Sequence, residues 1–502
     1  MNPPTAAPIS DRIRAVLHSA GDALIFPPRD FVGQWLERAV LLGLFVLGAY
    51  LWADALNWGQ IPWDRADWYD ITGPRLYFLQ EAVQNGQLPL HVDAPLGMKN
   101  TTDRFLSIPD VIASPQIVLL HWLTPGGFVL LQTLALYALG YWGLLRLKNH
   151  WQLSLAALIP LYLLFNFNGH LVVHVAVGHT GWGSVFLLSW FVLWTVQLLE
   201  SGGGWCWAAR VSLLLAFIFL QGGFHLFLGC WLFLAVLLLF RWPLRKPLLL
   251  ALGFSLLLSM GRILPAAIVT QDLRIGFLSG FTTTAELFAG LVTLRGPARA
   301  LETVTSLNPL VAWWEFDYYI GWAGLAFLAL GGGLWAWKRR TWQSSFAPLW
   351  VTCAAMAVLS VGRLYRVVFS LGIPFLNGER VSSRFFLLPL LFTAALAALA
   401  IQRNLDEKRP GRSLVLAGFG GVLLLFNDLL QHRELWKPDQ LAQLFPSQTF
   451  TRLHLANHPD PLYAAALIGG TLIAAVALAV LLVAARRVSP SPGRVENSIK
   501  TW

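Results

Sequence analysis

The chain has 502 residues, of which 56% are hydrophobic and only 12% are charged, and its mean hydropathy is +0.59. Such a composition lies outside the soluble range and defines a polytopic membrane protein. The net charge of +10 does not point to a nucleic acid, because the 24 Trp and 32 Phe read as interfacial belts and helix packing, and Cys206, Cys230 and Cys353 lie in or beside apolar runs without disulfide or metal-ligand spacing.

Residues 1–35 are too polar and too broken by proline for a cleavable leader and read as a cytoplasmic segment. A first span covers about 36–56, followed by a long outer loop, 57–109. A short apolar piece at 111–123 cannot cross and reads as re-entrant or interfacial. Spans follow to about 145 and at about 153–167, 185–199, 208–220, 226–240 and 247–268. A second long outer segment, 269–319, leads into spans at about 320–337 and 346–361. An outer loop at 362–384 precedes a span to about 400, and two last spans cover 414–430 and 461–485. The whole, residues 36–485, is an all-α bundle of about twelve transmembrane helices, with a disordered cytoplasmic tail at 486–502. In this arrangement the inner segments collect 21 of the 36 basic residues and 8 of the 26 acidic ones. That positive-inside bias places both termini in the cytoplasm of a multi-pass inner-membrane protein and explains the basic charge.

The stretch 63–90, WDRADWYDITGPRLYFLQEAVQNGQLPL, organises the first outer loop. Asp64, Asp67 and Asp70 recur every three residues. Thr72 as cap, Pro74 in the first turn and Asn85-Gly86 at the end predict an amphipathic helix of about four turns. Leu76, Leu79 and Val83 on one face would let it lie on the membrane. A solvated loop whose aspartates merely start helices is the plainer alternative.

Polar groups near a membrane are costly, so the outer-side ones are informative. They are the three aspartates; His170, His174 and His179; Glu315 and Asp317; and Arg363, Arg366, Arg380 and Arg384. A shared outer-face cavity is the economical interpretation. HExxH, GxSxG, P-loop and dinucleotide motifs are absent. The constellation suits displacement of a phosphate leaving group from a lipid-carried sugar: a carboxylate takes the proton of the incoming hydroxyl and arginines receive the phosphate. Against this stand ordinary roles. His170 and His174 at i, i+4 form a metal pair or pack as polar groups, with no third ligand in the sequence. Arg380 and Arg384 anchor lipid headgroups or pair with Glu379. Glu315 and Asp317, beside Trp313, Trp314, Tyr318 and Tyr319, belong to an aromatic belt.

An acid upstream of NGQLPL, a nearby APLGM, the GH segment opening at Gly169, YYIGWAGLAFLAL and LNGERVSSRFFLLPL occur in this order. Together they resemble the bacterial YfhO-like membrane proteins, relatives of the GT-C glycosyltransferases, over about residues 36–430. The sequence departs from common relatives in its HVDAP segment, in having no adjacent Asp-Glu pair and in lacking a large outer C-terminal domain. The resemblance implies a GT-C-like fold and transfer of a sugar from a polyprenyl-phosphate donor to a glycan, lipid or protein acceptor, on the periplasmic or exterior side of the bilayer. The essential first-loop acid falls on Asp70, with Asp67 as rival. Arg380, Arg384 and Arg75 would bind the donor phosphate, and Asp64, His170, His179, Glu315 and Asp317 would line the site. No metal set is assigned, although the site leaves room for a divalent ion. A transporter or flippase for lipid-linked or anionic solutes, or an inactive envelope-assembly scaffold, is the alternative.

Overall fold

The computed structural model describes residues 24–28, 30–94, 102–270, 278–297, 313–334, 345–372, 378–407, 410–449 and 452–488. The APLGM motif beyond Ala94, the basic run 338–340, the 362–384 loop at 373–377 and most of the two ends lie outside them. Among the described residues the chain is almost entirely helical, with one two-stranded ladder.

Helix α1 (Phe31–Ala55) starts where the Asp30 carboxylate accepts from the Gly33 amide at 3.2 Å. It buries Leu51 and Trp52 and turns Leu42, Val46 and Tyr50 outward, as a peripheral membrane helix must. After a tight turn comes α2 (Gly73–Gln84), preceded by a π-helical turn over Trp68–Thr72. The segment at 111–123 contains only a short 3-10 turn, Pro115–His121.

Next are α3 (Pro125–Trp151), α4 (Leu155–Phe167) and α5 (Gly169–Val177). The break between α4 and α5 is managed by Asn168. Its side-chain oxygen accepts from Leu171 N at 3.1 Å, and its amide donates to Leu164 O at 3.0 Å, so one residue satisfies both broken ends. Then come α6 (Leu188–Ser201), α7 (Trp205–Leu220), α8 (Phe224–Phe240), α9 (Arg245–Leu258) and α10 (Met260–Thr270). The pair α9–α10 is bent by 68°. After α11 (Thr284–Val292) follow α12 (Gly321–Phe327), α13 (Ala347–Leu359), α14 (Gly362–Ser370), α15 (Leu387–Glu407), α16 (Arg412–Leu435), α17 (Pro438–Leu444) and α18 (Pro461–Val488).

Seven of the described helical stretches are long and apolar enough to cross a membrane, or eight if the bent pair is one crossing. Those containing α4–α5, α6 and α15 are mostly enclosed by protein, whereas α1, α16 and α18 are mostly exposed. Leu416, Phe419 and Leu424 on α16 and Leu472 and Val476 on α18 give these outer helices an apolar, lipid-compatible surface. This is an all-α membrane protein with an inner bundle and a peripheral layer.

The two ends of the bundle carry different contacts. At one, Lys148 Nζ meets Glu37 Oε1 at 2.6 Å, His150 Nε2 meets Glu200 Oε2 at 2.6 Å, and Ser154 N donates to Gln402 Oε1 at 2.6 Å. These residues come from segments assigned to one side by charge. The other end holds the ladder of β1 (His91–Val92) and β2 (Leu455–Ala456), antiparallel with His91 opposite Ala456, and the polar cluster described next.

Candidate functional site

The loop between α1 and α3 is fastened to the end of α5. Trp68 Nε1 donates to Ala176 O at 2.7 Å, and the Thr72 hydroxyl donates to Gly178 O. Gly178 has φ +113°, and a Cβ there would stand 2.6 Å from Trp68 N, so only glycine permits both the turn and the approach. Thr72 therefore does not cap α2; its hydroxyl is spent on this tether, and the helix enters from the π-helical turn. Nor does α2 lie on a membrane through one apolar face. Pro74, Arg75, Leu76, Phe78, Leu79 and Ala82 are all buried, so protein covers most of its circumference.

This docking sets Asp67 Oδ2 2.7 Å from His179 Nε2. His179 Nδ1 lies 2.7 Å from His174 Nδ1, so one ring donates and the other accepts. His174 stacks on Trp182 with 4.2 Å between centroids, and its Nε2 faces Glu315 Oε2 at 3.6 Å without a hydrogen bond. Glu315 in turn accepts a two-pronged contact from Arg384, Nε to Oε2 at 2.8 Å and Nη2 to Oε1 at 2.6 Å. Arg384 Nη1 reaches Glu379 Oε1 at 3.4 Å, and His225 Nδ1 stands 2.7 Å from Glu379 Oε2. Burial alone would raise the Glu379 carboxyl; His225 and Arg384 outweigh it and hold it below its ordinary range. One continuous chain of side chains thus runs from Asp67 to His225 through five separate segments.

A second polar group adjoins it. Arg75 Nη1 pairs with Asp110 Oδ2 at 3.0 Å. Burial would raise the Asp110 carboxyl, but Arg75 overrides that and holds it at about 2, with His225 adding to the effect. Arg262, at the start of α10, donates to Val111 O at 3.4 Å and also to Ile108 O, and it is close enough to feel both Asp110 and Arg75. Arg75 and Arg262 are buried, yet Arg75 Nε and Arg262 Nε and Nη1 have no hydrogen-bond partner. Buried guanidinium donors without acceptors are costly, and an anion with several oxygens would satisfy them.

The expected residues fall into three sets. Asp67, His179, Glu315 and Arg384 join the chain, and Arg75 belongs to the adjoining group. Asp70 sits half-buried in the π-helical turn, while Asp64 is 40% exposed beside Arg65 and Arg380 is exposed on the rim. Asp317 and His170 are fully enclosed and act as fasteners. Asp317 accepts from Trp313 Nε1 at 3.2 Å and Tyr319 N at 2.9 Å and meets His432 Nε2 at 2.9 Å. His170 stacks on Tyr318 at 4.2 Å. The expectation that Arg384 presents its charge to a phosphate needs correction, since two carboxylates already engage its guanidinium.

The metal reading also changes. His170 is not paired with His174 as a ligand set; instead His174, His179 and Glu315 offer ligand atoms all within 4.8 Å of one another. The third donor is remote in sequence, which is why spacing alone missed it. The orphaned, buried His174 Nε2 and two imidazoles with a carboxylate fit a divalent ion of the zinc type. Sequence reading also passed over His225, Asp110 and Arg262. His225 was visible only as part of the QGGFH turn, Asp110 as the end of a loop, and Arg262 as a lone charge in an apolar span, which is the signal that marks it.

The fold and this buried ionisable cluster define a polytopic all-α membrane protein with an internal polar site at one end of its bundle. Comparison with protein-family models, curated proteins and solved structures finds no match to the chain.

Proposed function

We propose that this protein is a GT-C-type membrane glycosyltransferase that takes a sugar from a polyprenyl-phosphate donor and passes it to an envelope or secreted acceptor on the outer side of the membrane. The observation that carries the reading is the buried Arg75 and Arg262, which keep spare N–H donors beside Asp110. In the reaction, the acceptor hydroxyl gives its proton to Asp67 and its oxygen bonds to the anomeric carbon. The bond from that carbon to the phosphate oxygen breaks, and the phosphate departs with the electron pair. Arg75 and Arg262 receive that anion, so no general acid is needed. Asp67 is favoured over Asp70 as the base because His179 fixes its carboxylate at 2.7 Å. A divalent ion at His174, His179 and Glu315 would polarise a phosphate or hydroxyl oxygen.

Counted as crossings, the bent pair and the four shorter apolar helices among the described residues would join the seven long ones to make twelve, and the positive-inside bias would then put both ends of the chain in the cytoplasm. The transporter reading draws support from the bent α9–α10 pair, since broken helices form solute sites at mid-membrane. It calls for two such breaks in corresponding positions, and among the described residues one pair is bent by more than 40°.

The test is transfer of labelled sugar from a polyprenyl-phosphate donor by the purified protein in liposomes. Asp67→Asn should lower turnover by about 10²-fold or more with the protein still folded, and Arg262→Gln should weaken donor use. Comparison of envelope glycans by mass analysis with and without the gene identifies the sugar. Movement of intact lipid-linked sugar across the bilayer, with no bond cleaved, would establish the transporter instead.

A further inference from the structure

A second cluster lies apart from the polar chain, where the first outer loop meets the segment preceding α18. Three extended pieces are held in register there by the backbone. Asp93 N donates to His454 O at 3.0 Å, Val92 N donates to Asp103 O at 3.0 Å, and Phe105 N donates to Leu90 O at 2.9 Å. His91 lies opposite Ala456 in the ladder and forms a bridge with Arg104. The result brings His91, Asp103 and His458 together, with ligand atoms all within 4.8 Å of one another.

Several features of this cluster go beyond packing. His458 Nε2 is 2.6 Å from Asp103 Oδ2, and the His91 and His458 rings are 4.1 Å apart between centroids. His91 is buried, 5% exposed, and its Nε2 has no hydrogen-bond partner; the Asp460 carboxylate stands 3.5 Å away. Arg104 Nε donates to that carboxylate at 2.6 Å, which fixes Asp460 behind the histidine. A pocket of about 410 Å³, lined by His91, His458, Asp460 and Tyr463, opens onto the cluster.

We infer that His91, His458 and Asp103 form a second divalent-metal site, of the zinc type, that clasps the first outer loop to the segment leading into the last helix. Two imidazoles and one carboxylate are the donor set zinc and its neighbours prefer, whereas magnesium and calcium favour oxygen alone. The buried His91 Nε2, without a hydrogen-bond partner, is available as a ligand, and a water from the pocket would complete four. Asp460, held by Arg104, neutralises charge beside the site without being one of the three ligands. Because His91 lies in the ladder, the Asp103 carbonyl accepts from Val92 N and His458 follows two residues after the second strand, binding requires little ordering and adds directly to the stability of this junction.

The experiment uses the full-length protein in detergent, stripped with chelator, incubated with zinc ions and desalted before metal analysis. The parent should hold one more zinc per chain than His458→Ala or Asp103→Asn, and zinc should raise the melting temperature of the parent more than theirs. His174→Asn, in the other cluster, should keep this equivalent. His458→Cys supplies a substitute ligand, so with cobalt ions it should gain a thiolate-to-cobalt charge-transfer band that the parent lacks. Equal zinc content in parent, His458→Ala and Asp103→Asn, or cobalt binding to His458→Cys without that band, would overturn the site and leave the histidines as hydrogen-bonding partners only.

Discussion

Arg384 shows how far a residue's chemistry can be read from its type and how far it depends on neighbours. Its position at the start of a span suggested a phosphate ligand, a headgroup anchor or a partner of Glu379; it does pair with Glu379, and Glu315, which the sequence did not offer as a partner, grips it more closely. Truncating one partner of a buried ion pair strands the other charges, typically at about 3–5 kcal/mol. Arg384→Ala should therefore lower the unfolding midpoint in detergent strongly, and Arg384→Lys should recover only part of it, since an ammonium cannot span both carboxylate oxygens. Arg380→Ala, at an exposed position, should stay within about 0.5 kcal/mol of the parent. A thermal scan of the three variants checks this; equal midpoints would mean that the buried network contributes nothing to stability. Of the residues singled out from sequence, Asp67 and His179 meet because Trp68 and Thr72 dock on α5, a contact that no spacing rule encodes.

At the scale of elements, the helical stretches follow from apolar runs punctuated by charge, proline and glycine, and most were legible. What periodicity could not supply is how a helix breaks. The α4–α5 stretch reads as one apolar run followed by NGH, and the interruption is made workable by Asn168 serving both ends. Asn168→Ala should cost about 1 kcal/mol from the lost cap alone, and more if Leu164 O is left without a donor. Because α5 carries His170 and His174, the same substitution should disturb the Asp67–His179 contact. Imidazole NMR signals of His174 and His179 should shift in the variant; unchanged signals would show that the cap acts only on stability. For α2 the apolar positions were visible, but membrane and protein neighbours attract the same side chains, and only tertiary packing reveals that protein covers them.

For the whole molecule, the polar cluster at one end of the bundle links stability to acid. Asp110 has a usual value of 3.8 and is held at about 2 in the fold, so its ionised form is favoured by folding. The stabilisation it brings is complete above about pH 4 and disappears as pH falls from about 4 to about 2. Asp110→Asn should melt below the parent near neutral pH, and the gap should close across that acidic window. A gap that widened on acidification would reverse the assignment. The sidedness of the bundle is tested by an impermeant thiol reagent on intact cells, in a background with Cys206 replaced by Ser. Asp64→Cys should react from outside, and His150→Cys, at the opposite end, only after the membrane is opened. The reverse pattern would invert the orientation and move the proposed site to the cytoplasm.

Membrane residence and the helical character were determined by the sequence, because lipid imposes a one-dimensional rule: every crossing must be apolar and internally hydrogen-bonded. Which loops touch, and which polar group faces which, obeys no such rule. The union of Asp67 with His179, of Glu315 with Arg384, and of His91 with His458 brings together residues far apart in the chain. Those pairings were decided by the tertiary structure, since buried polar groups take whatever partner helix packing brings within hydrogen-bond reach.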